Sequence, residues 1–184
     1  MTAPLTGRLL VATPALRDPN FARSVVLVLD NDAEGSLGVI VNRPTPVAVG
    51  DILPTWSAHA TAPGVVFQGG PVARDSALGL VAVRVSEEPL GVRTLYDRMG
   101  LVDLDVPPEV VVPELSAIRI FAGYAGWGPG QLEAEVARGD WYVLPAEEGD
   151  AFTDDPALLW RQVLRRQGGT LALVSTFPED PALN

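Results

Sequence analysis

Three short stretches of this chain carry residue types that could do chemistry. The densest is Gly123-Tyr124-Ala125-Gly126-Trp127-Gly128-Pro129-Gly130, four glycines around two rigid aromatics. Glycine adopts torsions that other residues resist and lets a ligand or a second segment come close. A loop of this kind that opens into a helix also aims backbone N–H groups at an anion. The second stretch is Asn42-Arg43-Pro44, where a guanidinium could clamp a carboxylate or phosphate through two parallel hydrogen bonds. The third is Gln68-Gly69-Gly70-Pro71. Polar residues beside glycines at strand ends are where pockets are commonly built.

Each stretch has a plainer structural alternative. The glycine loop could be a tight turn with Tyr124 and Trp127 packed into the core, and that reading is preferred. Its spacing from Gly126 is Gly-x-Gly-x-Gly, not the dinucleotide fingerprint, and Glu133 and Glu135 compete with an anion for the helix start. Arg43 could simply pair with one of the 23 acidic residues. Asp30, Asp32, Glu34 and Gly35 imitate half of a calcium loop, but the twelfth position is Val41 and strands flank it, so a solvated hairpin turn is expected and no metal. His59, the single histidine, lies in a Pro-rich loop with no residue tied to it and no nucleophile elbow in the chain. Arg161, Arg165 and Arg166 suit the C-terminal end of a helix and form no helix-turn-helix pair.

Composition narrows the chemistry further. The chain has no cysteine, and all 13 basic residues are arginine. Thiolate catalysis, disulfides, Cys-based metal sites, lysine Schiff bases and the P-loop lysine are therefore excluded. The formal charge is −10, which repels a polyphosphate at long range and argues against direct nucleic-acid binding. The longest aliphatic run, Val25–Leu29, is far short of the ~20 residues of a membrane span. The N-terminus lacks a basic region followed by an apolar one, so the expected location is cytoplasmic. A length of 184 residues suggests one domain spanning 1–184, large enough for its own core.

The elements that must position these residues are read from periodicity and breakers. Arg8–Thr13 is a strand, followed by a loop with two prolines. Ser24–Asp30 and Leu37–Asn42 form the strongest hairpin. Pro44–Gly64 is mostly loop with a short helix at Val49–Leu53. Gly64–Gln68 is a short strand, and Leu78–Val85 pairs with Val92–Tyr96. Val106–Pro113 is extended or irregular. Ala117–Ala122 alternates as a strand. Pro129–Arg138 is a helix ended by Gly139, Trp141–Leu144 is a strand, and Asp155–Gln167 is a helix capped by Asp155. Thr170–Ser175 is a last strand. Strands early and helices late make an α+β pattern.

The chain resembles the YqgE/AlgH family of bacterial proteins. The residues that carry the resemblance are Gly7-Arg8-Leu9-Leu10-Val11-Ala12-Thr13-Pro14, Phe21–Val28, Gly35–Pro44, Phe67-Gln68-Gly69-Gly70-Pro71-Val72, the stretch 121–136, and Trp160 through Gly168. They cover nearly the whole chain. The resemblance implies a mixed, mostly antiparallel bent sheet curled into a pseudo-barrel with helices packed outside. It also singles out Asn42, Arg43, Gln68, Gly69, Gly70, Gly123, Tyr124, Gly126 and Trp127 as candidate ligand-binding positions. The family has no agreed activity and is often labelled a transcriptional regulator. The favoured expectation is a non-enzymatic regulatory or adaptor module, without cofactor, that binds a small ligand or protein partner and acts indirectly. The alternative is an enzyme on a small anionic substrate, with Arg43 as clamp and carboxylates or Tyr124 moving protons.

Overall fold

In the computed structural model, which describes residues 4–179, ten strands join in one curled, largely antiparallel sheet forming a half-barrel. The strands are β1 (Arg8–Ala12), β2 (Val25–Asp32), β3 (Gly35–Ile40), β4 (Pro44–Ala48), β5 (Val65–Gln68), β6 (Val72–Val83), β7 (Val92–Tyr96), β8 (Met99–Val102), β9 (Leu115–Trp127) and β10 (Trp141–Pro145). The helices are α1 (Val49–Ile52), α2 (Pro108–Val111), α3 (Gln131–Arg138), α4 (Leu159–Arg166) and α5 (Gly169–Val174). Strand order is β10-β1-β2-β3-β9-β6-β8-β7, and β5 pairs with both β4 and β9.

Burial on both faces explains why these strands read as apolar runs instead of a simple alternation. Leu9, Val11, Val25, Leu27, Val39, Leu80 and Phe121 share one face, covered by Trp160, Val163 and Leu164 of α4. On the opposite face Leu10, Val26, Val28 and Ile40 pack under Leu132 of α3. Farther along that face Val66, Val81, Ile118 and Ile120 pack against Val49, Trp56 and Val111 from α1, the 3-10 turn Pro54–His59 and α2. Each fully buried aliphatic side chain contributes about 1.5–3 kcal/mol.

The central strand is β9. It pairs antiparallel with β6 and β3 and parallel with β5, in the register Phe67↔Phe121 and Gln68↔Ala122. Here the structure departs from the sequence reading. The strand does not stop at Ala122 but runs on through Gly123 to Trp127, and only Gly128–Gly130 remains as loop. Other segments differ too. Pro44–Ala48, read as loop, is strand β4, and β6 begins at Val72 instead of Leu78. Val92–Tyr96 pairs with β8, a strand the sequence reading missed, and β8 in turn pairs with β6. Val106–Pro113 contains α2. Thr170–Ser175 lies on helix α5 packed against α4. The Asp155 side chain caps nothing, and a 3-10 turn, Pro156–Leu158, leads into α4. The expected hairpin β2–β3 and the stop of α3 at Gly139 stand as read.

Candidate functional site

The first two candidate stretches and the start of the third meet at one seam, where β5 is wedged between the diverging strands β3 and β9. Gly69 donates its N–H to the Ala122 carbonyl at 2.9 Å and accepts from the Ile40 N–H at 2.8 Å. Gln68 N–H donates to the Arg43 carbonyl at 2.8 Å. The crossing works only without side chains. A Cβ on Gly69 would lie 2.3 Å from the Gly123 oxygen, and one on Gly70 would lie 2.2 Å from the Tyr124 carbonyl atoms.

Gly123 has a second role. Its φ of +75° is a left-handed torsion that favours glycine, and it shifts which face the later residues of β9 point to. Before it, Ala117 and Phe121 face α4 while Ile118, Ile120 and Ala122 face α1 and α2. After it, Tyr124 faces the α4 side, and Ala125 and Trp127 turn to the α3 side. The matching irregularity in β6 lies between Val72, paired with Tyr124, and Ala77, paired with Ala122. Such a bulge re-aims side chains without ending the strand.

The polar side chains at the seam turn back onto the chain. Asn42 accepts from the Val25 N–H at 2.9 Å and donates to the Arg23 carbonyl at 3.0 Å, extending the β2–β3 ladder by one step. Arg43 donates to the carbonyls of Pro19, Asn20 and Ala22, the last at 2.8 Å. Burial lowers its pKa, with Asp18 partly offsetting the effect. Its partners are thus backbone carbonyls, neither the acidic side chain nor the free clamp that the sequence offered.

Trp127 and Gly126 lie farther along β9. Trp127 is buried, and its indole N–H donates to Glu135 Oε2 at 2.8 Å. Trp141 donates to the same oxygen at 3.0 Å, and Phe21 packs edge-on to Trp141 with centroids 5.7 Å apart. One carboxylate thereby satisfies two indoles in an aromatic cluster. Tyr124 is half-buried against the α4-side core, and Gly126 is exposed with open space beyond the Tyr124 ring edge, 3.6 Å from where its Cβ would sit.

Several notable residues escaped the sequence reading. Arg119 on β9 is 1% exposed and lies 4.3 Å from the Phe67 ring centroid. It donates to the carbonyls of Ala62, Ala151 and Thr153 at 2.6, 3.1 and 2.8 Å, while its Nε has no partner among the described residues. Burial pushes its pKa down to about 10. The available signal was a charge between two isoleucines in an alternating strand. Asp150 is buried and holds Arg166 in two 2.7 Å bonds, which raise the arginine's pKa. Arg23 has a left-handed φ of +58°, rare for a long side chain and costing about 1–3 kcal/mol.

A curled α+β sheet, closed by a glycine seam and helices on both faces, defines the class of protein. The comparisons agree. The AlgH-like family model matches residues 9–172. A UPF0301 protein of Streptomyces coelicolor is 62% identical, over 98% of this chain and 95% of that protein. One of Thermobifida fusca is 53% identical, over 98% and 96%. A crystal structure of a Corynebacterium diphtheriae protein superposes with a TM-score of 0.86 at 34% identity, covering 96% of this chain and 94% of that one. The solution structure of the AlgH protein from Pseudomonas aeruginosa gives 0.73 at 26% identity, covering 97% and 96%. The chain therefore belongs to the AlgH-like family. Among the described residues no helix is long and apolar enough to cross a membrane.

Proposed function

We propose that the protein is a non-enzymatic regulatory or adaptor module, a single domain working in the cytoplasm, that engages a small ligand or protein partner beside the seam formed by Asn42, Arg43, Gln68, Gly69, Gly70, Gly123, Tyr124, Gly126 and Trp127. The observation that carries this reading is the direction of the polar groups. Asn42 and Arg43 donate to the chain's own carbonyls, so they build a surface instead of presenting a reacting group. The outward-facing part is short and shaped by backbone, with Gly126 and Gly128–Gly130 exposed on one strand end and Val72–Ser76 exposed on its neighbour. Arg43 as a substrate clamp would have to give up these carbonyls, which counts against the enzymatic alternative. Any effect on transcription runs through the bound partner, because a chain of charge −10 is repelled by DNA.

The test uses Gly126→Glu. The added side chain enters open space, so the unfolding midpoint should stay within a degree or two. Tagged wild type and variant are compared by cross-linking capture in the source cells and by thermal shift against a metabolite library. A partner or ligand held by the wild type and lost in the variant supports the reading. Identical capture and shift profiles would remove the seam from it.

A further inference from the structure

The loop before β2 and the C-terminal end of the described chain form a half-open cavity of about 430 Å³ lined by Pro14, Leu16, Arg17, Arg23, Phe177 and Glu179 among others. In a chain of charge −10 its walls carry two arginines, Arg17 and Arg23, against one acid, Glu179. Burial, and after it the charge of Arg161, lower the Arg23 pKa, while Glu179 raises it. With one acid for two arginines, a net positive charge is left over, and an anion nearby favours it.

The guanidinium of Arg23 is held by two contacts. It stacks 3.9 Å above the Trp160 ring and donates to the Phe177 carbonyl at 3.0 Å. Its left-handed backbone is fixed from behind, because Asn42 donates to the Arg23 carbonyl and Arg43 to the Ala22 carbonyl. A strained torsion persists only where its surroundings over-determine it, and such torsions gather at ligand sites. The residues the sequence marked as a clamp thus position a different arginine, and Pro14, Leu16 and Phe177 give the cavity an apolar wall.

We infer that this cavity binds a small organic acid, a carboxylate or phosphate on an apolar body, with Arg17 and Arg23 holding the anion and Asn42 and Arg43 acting as positioning residues. The site adjoins the seam but does not depend on a partner binding there. Gly126→Glu reports on the seam and Arg23→Gly on the cavity, so either idea can fail alone.

The experiment is calorimetric titration of the full chain with phenyl phosphate, benzoate, benzamide, benzylamine and inorganic phosphate. Phenyl phosphate or benzoate should bind at least tenfold tighter than the neutral and cationic analogues and than inorganic phosphate. Glycine accepts the left-handed torsion, so Arg23→Gly should keep its fold and weaken binding at least tenfold, the usual result of losing a charged hydrogen bond. Arg17 is exposed, and Arg17→Ala should do the same with no change in unfolding midpoint, which carries the test if the first variant fails to fold. Arg165→Ala, exposed on α4, should bind like wild type. The inference is overturned if neither acid binds, if inorganic phosphate binds as well as phenyl phosphate, or if Arg165→Ala weakens binding as much as Arg17→Ala.

Discussion

The seam and the loop Pro14–Arg23 sit side by side and are built on opposite principles. Where Gly69 and Gly70 cross β9 in the seam, backbone lies on backbone and no space is left for a side chain, the two Cβ positions being filled by atoms of β9. In the loop the backbone is held at a distance by long side chains, with Arg43 reaching across to Pro19, Asn20 and Ala22 and Asn42 reaching to Arg23. The first arrangement is stiff because nothing in it can rotate. The second is a set of rotatable arms that can be exchanged one at a time. A protein that must hold one strained arginine beside a rigid sheet gains from having both in contact.

The comparison breaks most sharply at Gly70. Alanine there puts a methyl 2.2 Å from the Tyr124 carbonyl atoms, and main chain cannot rotate away. The expected loss is about 3 kcal/mol or more, a fall of roughly 6–12 °C in melting temperature for a chain of this size. A Gly70→Ala protein that melts with wild type would mean that the strands can part. The loop should respond more mildly. Arg43→Lys replaces a planar fork, whose two nitrogens reach separate carbonyls, by a single nitrogen that cannot occupy both positions, costing about 1–2 kcal/mol. The change should be local. Amide exchange at Phe21 and Ala22, which both donate to the Asp18 carbonyl, should quicken while the β2–β3 ladder stays protected. Uniform quickening through β2 would show that Arg43 supports the sheet and not the loop alone.

Legibility in the sequence follows the same division. The hairpin β2–β3 was readable because Ser24–Asp30 and Leu37–Asn42 are apolar and bounded by turn residues. Strand β9 was cut short because glycines read as loop, whereas Gly123 only shifts the facing of a strand that goes on to Trp127. The seam residues could be named, since glycine and polar types cluster there, but their partners could not. An arginine is expected to seek an acid, and Arg43 and Arg119 both found backbone carbonyls brought near by distant segments. Thr170–Ser175 shows the reverse error. It forms α5 on α4, and its centre Leu171-Ala172-Leu173 is made of good helix formers. The strain at Arg23 had no sequence signal, because nothing in Phe21-Ala22-Arg23-Ser24 demands a positive φ.

Tyr96 offers the smallest effect and a third kind of contact, a side chain packed on a glycine. Its ring lies against Gly7, whose Cβ would sit 3.2 Å from the ring edge, at the rim of a cavity of about 270 Å³ with Leu27, Met99 and Ala151 among its walls. Burial, with the nearby Asp97 charge, raises the phenol's pKa above its ordinary value. The folded protein therefore keeps this proton at a pH where the unfolded chain has released it. That stabilisation is complete below about pH 10 and is lost as pH rises above it. Tyr96→Phe should match wild type at pH 7 to within about 0.5 kcal/mol. Above pH 10 its stability should fall less steeply, by up to about 1.4 kcal/mol per pH unit. Urea titrations at pH 7, 9, 10 and 11 measure both slopes. Parallel slopes would mean that the phenol ionises as readily in the folded protein as in the unfolded chain. The contact with Gly7 would then leave the hydroxyl in water, and the difference between a glycine that admits backbone and one that admits a ring would have no electrostatic consequence.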